Sequence, residues 1–307
     1  HVGFKMSSSL QSDTAIVPNR KSTLYQMGSG ALWKLQSAAS CAIVAKKTVG
    51  GVEMTVQARR LDHFEEGIFA AINHKVVAYQ QQGRELVNLS IGTPDFAPPE
   101  AVMRVLSEAA LQPENYRYTL RDEPQLRQAV ADYYARRYGA QIDPDTELLA
   151  VHGTQEGMGH LGMALCNPGD EVVIAAPYWV SYTEQIRMVG GVPVIVPTTE
   201  AQHFKMTPAQ LEAAITDKTK ALVLNNPSNP TGMVYTKAEL EAIAEVCCRH
   251  NIYVIADEIY CNLVYDNNEF VSFASLGEDV KERTILVNGV SKSYAMTGWR
   301  IGYSASN

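Results

Sequence analysis

Apolar positions recur along this chain in two periods, and the change from one to the other carries most of the fold. Residues 61–82 repeat at helical spacing, with Phe64, Ile68, Ala71, Ile72 and Val76 on one stripe. Gly83 ends that run. Residues 86–91 read as a short strand, and the stretch from Gly92 to Pro99, rich in breakers, as an irregular loop. Two helices are predicted near 99–111 and 124–138. Beyond them, strand-like runs fall at 147–151, 171–175, 192–196, 221–225, 253–257, 284–288 and 301–304. Helical patterns lie between most of these, as at 237–250. The alternation predicts an α/β fold, a mostly parallel seven-stranded sheet with helices on both faces. Ligands of such sheets sit beyond the carboxyl ends of the strands, so the polar residues there are the ones to read.

Bulk composition narrows the function classes. The chain has 307 residues, 46% hydrophobic, enough for a large core in one big domain or two. A net charge of −7 argues against nucleic acid or an anionic membrane as the main partner. No apolar run of about 18 residues is present, so no transmembrane helix is expected. The five cysteines (Cys41, Cys166, Cys247, Cys248 and Cys261) show no metal or disulfide spacing and read as reduced thiols of a cytoplasmic protein. No metal site is expected.

Residues 1–53 do not match the rest. They are Ser-rich and basic, and Asp13 and Glu53 are their only acids. Two readings stay open. A transit peptide beginning at Met6 would send the protein to a plastid or mitochondrion. Alternatively, the stretch is upstream sequence read through into a chain that starts at Met54. The second is preferred, and on either reading residues 1–53 form a leader outside the fold.

The strand ends carry the chemistry. Residues 284–288 run into Asn288-Gly289-Val290-Ser291-Lys292, and Arg300 follows eight residues after the lysine. A lysine on the turn leaving a buried strand is well placed to form an imine with an aldehyde. Gly153, Thr154 and Gln155 follow the first strand of the alternating region and open a helix, whose free N–H groups suit a phosphate. Trp179 follows the second and can stack on a flat ring. Asn229 lies between Pro227 and Pro230, so its amide can be aimed at a ligand oxygen. Asp257 ends a strongly apolar strand, where a carboxylate needs a partner such as a protonated ring nitrogen, and Tyr260 is placed to donate to an oxygen of the same ring. Each has a bland alternative: a helix cap, core filler, a turn or a salt bridge. Together they supply what pyridoxal phosphate requires. Lys292 offers the amine, Asp257 the partner of the ring nitrogen, Asn229 and Tyr260 the donors to the ring oxygen. Trp179 stacks, and Gly153, Thr154, Ser291 and Arg300 hold the phosphate.

With these motifs in hand, the sequence resembles the fold-type I, class I pyridoxal-phosphate aminotransferases over roughly residues 58–307. The resemblance rests on Asn226-Pro227-Ser228-Asn229-Pro230-Thr231-Gly232, on Asp257-Glu258-Ile259-Tyr260, and on Ser291-Lys292 followed by Gly298-Trp299-Arg300. The stretch from Pro177 to Tyr182 and that from Val287 to Arg300 are most similar to the prokaryotic and plastid aspartate/prephenate subgroup. The front part, with Ser90-Ile91-Gly92-Thr93-Pro94-Asp95-Phe96, looks more like diaminopimelate- and alanine-type enzymes. The resemblance implies an amino-group transfer between an amino acid and a 2-oxo acid by ping-pong chemistry, with Lys292, Asp257 and Tyr260 catalytic. It implies a homodimer with shared active sites, Tyr118 reaching the neighbouring subunit's phosphate, and Gly92 in the loop that covers the substrate. It divides the chain into an arm and part of a small domain over 54–104 and a cofactor-binding large domain over 105–307.

Three departures accompany the resemblance. Arg121 stands where the family has glycine. Gly289 stands where some members have a phosphate-binding serine, leaving Ser291 to serve alone. The chain also stops at Asn307, short of most of the small domain and of the arginine that takes the substrate α-carboxylate. Alternatives within the fold are a β-lyase or decarboxylase, or an inactive fragment. A transcription regulator with an aminotransferase-like domain would need a DNA-binding head, and residues 1–57 carry no helix-turn-helix pattern.

Overall fold

The structure, a computed structural model, describes residues 47–49, 52–54, 58–61, 64, 67–90, 92–120 and 122–307. Most of the leader and Arg121 lie outside the described residues. The chain divides into two compact units, 1–57 and 58–307. Of the first, two short antiparallel strands are described, β1 (Lys47–Val49) and β2 (Val52–Met54), with Thr48 opposite Glu53.

The second unit is built on a seven-stranded sheet. Its strands are β3 (Leu148–Val151), β4 (Glu171–Ala176), β5 (Val192–Pro197), β6 (Thr219–Asn225), β7 (Tyr253–Asp257), β8 (Thr284–Gly289) and β9 (Gly302–Ala305). They lie in the order β3-β9-β8-β7-β6-β4-β5. The pairs β4–β5, β4–β6, β6–β7 and β7–β8 are parallel, whereas β9 runs antiparallel to both β8 and β3. The chain steps outward from β4 to β5 and then returns to lay β6 on the other side of β4. That reversal opens a crevice at the carboxyl ends of the central strands, where Asn225 and Asp257 stand paired in register.

Alternating strand residues bury opposite faces. Val172, Ile174, Val223 and Ile255 pack with Met158 of α4 (Thr154–Leu165) and with Tyr182 and Ile186 of α5 (Ser181–Met188). Val173, Leu222, Leu224 and Val254 pack with Leu211 of α6 (Pro208–Ala214) and with Leu240, Ile243 and Cys247 of α7 (Lys237–His250). A third cluster joins Val130 and Tyr134 of α3 (Pro124–Tyr138) to Leu286, Tyr303 and Ala305. Both faces are therefore covered, as the alternation predicts. The capping chemistry is local. Thr236 and Glu239 form a reciprocal capping box on α7, and Gly139 closes α3 in the left-handed region at φ 71°.

Two expectations need correction. The helix predicted over 61–82 begins only at Ile68 and runs as α1 (Ile68–Gln81), because Gly67 takes an extended conformation (φ −61°, ψ 141°) and Arg59–Leu61 form a separate turn of 3-10 helix. The strand predicted over 86–91 has no ladder partner among the described residues, and its Val87 and Leu89 side chains stand in solvent. β propensity needs a neighbouring strand to become a ladder. The helix near 99–111 is α2 (Glu100–Ala109). A short α8 (Glu278–Lys281) completes the helices named here. Among the described residues no helix is long and apolar enough to cross a membrane, and no His/Cys/Asp/Glu cluster could hold a metal.

Candidate active site

The site grows from three strand ends and one helix start. Gly153 caps α4 with φ 85°, a conformation that favours glycine. A Cβ there would also run into the Arg300 guanidinium. The space above the first turn of α4 is thus held for a cation facing the helix N-terminus, the end that attracts anions. Arg300 is itself in the left-handed region (φ 56°), and its Nη1 donates to the Thr297 carbonyl at 2.7 Å. β9 comes equally close, since a Cβ on Gly302 would lie 2.9 Å from the Thr154 nitrogen. Gly153→Ala is expected to cost about 1–3 kcal/mol of stability, from positive φ, and to weaken inorganic phosphate binding by displacing Arg300. Chemical denaturation and phosphate titration of the same protein measure both.

Gly289 is explained by the same crowding. A Cβ on it would lie 2.6 Å from the Ile301 carbonyl oxygen and 2.9 Å from Gly302 Cα, so β9 leaves no space there for a serine side chain. Ser291, buried on the turn after β8, is the hydroxyl that remains on the cavity wall.

Lys292 extends from that turn and donates to the Gly92 carbonyl oxygen at 2.6 Å, with its Nζ 5.7 Å from the centre of the Tyr260 ring. Burial, and then the nearby Arg300 charge, hold its amine below the ordinary lysine range. Asp257, at the end of β7, is 6% exposed. Its Oδ2 accepts from the Tyr182 hydroxyl at 2.6 Å and its Oδ1 from the Ile259 N–H at 3.2 Å. Burial raises its pKa and these two donors pull it back. No cationic side chain pairs with it among the described residues. Asn229 donates from Nδ2 to the Tyr260 hydroxyl at 3.3 Å. Burial, then the Asp257 charge, raise the Tyr260 phenol, so it stays protonated and able to donate.

These groups share one cavity of about 640 Å³. Of the residues singled out in the sequence, Gly92, Thr154, Gln155, Trp179, Asn229, Asp257, Tyr260, Ser291, Lys292 and Arg300 line it, and Gly153 lies beneath Arg300. Tyr118 does not line it and is fully exposed. Among the lining residues not singled out in the sequence, four shape the site. Tyr182 holds Asp257, Asn225 bonds to Asp257 and Asn229, Phe69 leans on Trp179 with ring centres 5.4 Å apart, and Gln185 donates to the Gln155 carbonyl at 2.6 Å. Asn225 carried a signal, as the polar last residue of a predicted strand. The helical neighbours and Phe69 did not, because their arrival depends on how separate elements pack.

The donor set fits pyridoxal phosphate. A buried carboxylate without a cation suits a protonated ring nitrogen. An amine of depressed pKa suits an aldehyde, and an arginine over a helix start suits a phosphate. Comparison with known proteins agrees. The family model for aminotransferase class I and II matches residues 84–307. The chain belongs to the class I and II aminotransferases. Members of the aspartate aminotransferase family use pyridoxal phosphate. The aspartate aminotransferase of Bacillus sp. (strain YM-2) is 44% identical over 241 residues, covering 77% of this chain and 60% of that protein. The asparagine–oxo-acid transaminase of Streptococcus mutans serotype c is 40% identical over 255 residues, covering 83% and 65%. The solved aspartate aminotransferase of Thermus thermophilus with maleate superposes with a TM-score of 0.77 at 39% identity, over 82% of this chain and 65% of that one. The chain thus spans 60–65% of the length of these relatives.

Proposed function

We propose that this aminotransferase chain belongs to an enzyme that moves an amino group between an amino acid, aspartate or a similar one, and a 2-oxo acid by ping-pong chemistry. The observation that carries this reading is the convergence of Lys292, Asp257, Asn229, Tyr260 and Arg300 on one cavity. Pyridoxal phosphate, when bound, supplies an aldehyde that condenses with amines and a ring that withdraws electrons from the substrate α carbon. Arg300, Ser291, Thr154, Gln155 and the N–H groups at the start of α4 would hold its phosphate. Trp179 would stack on the ring, Asn229 and Tyr260 would donate to the ring oxygen, and Asp257 would keep the ring nitrogen protonated. Lys292 is the general base for the α-proton. Its depressed pKa leaves more of the amine uncharged near neutrality, as proton abstraction requires. Amino donor and oxo acceptor then use the same cavity in turn.

Exposed Tyr118 and the sequence resemblance support a homodimer in which that residue completes the neighbour's phosphate site. The described cysteines Cys166, Cys247, Cys248 and Cys261 are free thiols, which accords with a cytoplasmic protein. Loading the protein with cofactor and adding an amino donor alone tests the reaction. The expected result is one equivalent of 2-oxo acid and conversion of the cofactor to its amino form. Release of ammonia or carbon dioxide with the aldehyde form retained would instead mark a lyase or decarboxylase.

A further inference from the structure

We infer that Asn225 is a positioning residue that locks the two sides of the cofactor ring site to each other. This rests on the reading of the cavity as a pyridoxal-phosphate site and adds a residue to it. A flat ring held at its nitrogen by Asp257 and at its oxygen by Asn229 and Tyr260 requires a set spacing between those contacts. Yet Asp257 ends β7, while Asn229 lies in the loop after β6. The side chain of Asn225 spans the two. Its Nδ2 donates to the Asp257 carbonyl oxygen at 3.0 Å, and its Oδ1 accepts from the Asn229 N–H at 2.7 Å. Backbone partners of fixed polarity determine which end of the amide is which. Asn225 is also the Cα partner of Asp257 in the β6–β7 register, so the side-chain bond prolongs the ladder by one rung. The backbone alone supplies one further bond there, from the Asn226 N–H to the Asp257 carbonyl at 3.1 Å.

The amide at this position both donates and accepts across the gap. Aspartate keeps the acceptor for Asn229 and loses the donor to Asp257, and alanine loses both. The phosphate side of the cavity, at Arg300, Thr154 and Ser291, makes no hydrogen bond to Asn225.

The test uses pyridoxamine 5′-phosphate, which has the ring and the phosphate but no aldehyde and so reports seating of the ring without a covalent link. Calorimetric titration of the whole chain is expected to show Kd raised about tenfold or more in Asn225→Ala, because Asp257 and Asn229 are then no longer held at the spacing the ring requires. A smaller rise is expected in Asn225→Asp, with inorganic phosphate Kd unchanged in both. In a double-mutant cycle with Asn229→Ala, the two losses are expected to be less than additive. A merely structural residue would weaken phosphate and pyridoxamine phosphate alike and add fully to Asn229→Ala. Either result, or an unchanged pyridoxamine phosphate Kd in a folded Asn225→Ala, overturns the inference. If Asn225→Ala does not fold, Asn225→Asp decides on the same readings. Failure of the wild-type chain to bind pyridoxamine phosphate at all would instead overturn the cofactor reading from which the inference starts.

Discussion

Replacing Lys292 with alanine is expected to abolish covalent capture of pyridoxal phosphate while leaving its noncovalent binding measurable. Lys292 is the lysine on the cavity wall, and its Nζ donates to the Gly92 carbonyl oxygen and stands over the Tyr260 ring, 5.7 Å from its centre. Borohydride treatment of the wild-type protein with cofactor should give a stable adduct whose tryptic peptide contains Lys292. The alanine variant should give none, and any transfer activity should fall by roughly 10²–10⁴-fold, the usual worth of a positioned general base. The pH dependence follows from the environment. Burial and Arg300 both disfavour the ammonium, so capture should proceed at a pH where a solvated lysine is almost wholly charged. Removing the cation with Arg300→Gln should move the capture profile toward higher pH. A reduced adduct of undiminished yield in Lys292→Ala would sink the assignment of this lysine.

Most of this site was legible in the sequence because parallel α/β sheets put function at strand ends, and strand ends can be read from apolar runs. Lys292, Asp257 and Asn229 were found that way, each a polar group at the end of a buried strand or in the loop beyond it. Trp179 was found by the same rule. What remained hidden depends on sheet order. The sequence does not say that β6 lies beside β7, so it could not pair Asn225 with Asp257, although both residues were visible. Nor does it say that α5 turns Tyr182 under Asp257 across 75 residues of chain. The failed strand at 86–91 has the opposite cause. Its local pattern is sound, but no strand among the described residues pairs with it. The late start of α1 was marked by Gly67, which the apolar stripe ran through. Gly289 is the subtler case. The sequence registered a missing hydroxyl, and only the close approach of β9 shows why no side chain stands there.

Glu258, next to Asp257 but on the other face of the sheet, should make the protein less stable as the pH rises from about 4.5 to 7. The residue is 2% exposed. Its Oε1 accepts from the Ser272 hydroxyl and the Phe273 N–H, each at 2.9 Å, and its Oε2 from the Tyr134 hydroxyl at 3.2 Å. Asn288 donates to the same tyrosine oxygen at 2.7 Å, so the network joins the ends of β7 and β8 to α3. Burial dominates these donors and pushes the carboxyl up to about 7 from an ordinary 4.5. Below 4.5 the group is protonated in both the folded and the unfolded chain, and its full contribution to stability is present. Between 4.5 and about 7 the unfolded chain gives up the proton and the folded chain keeps it, so stability falls. Above 7 both are ionised and the loss is complete. At about 1.4 kcal/mol per pH unit, that interval is worth about 3 kcal/mol. Glu258→Gln keeps the shape and cannot ionise. The difference in unfolding free energy between variant and wild type should therefore move by about 3 kcal/mol in favour of the variant between pH 4.5 and pH 8. A difference that stays constant across this range would mean that Glu258 is ionised in the folded protein throughout. Asp257 is raised by burial in the same direction, but it faces the cavity, where a ring cation can reach it. Cofactor binding should therefore flatten the part of the pH dependence that Asp257 contributes and leave the part due to Glu258 in place.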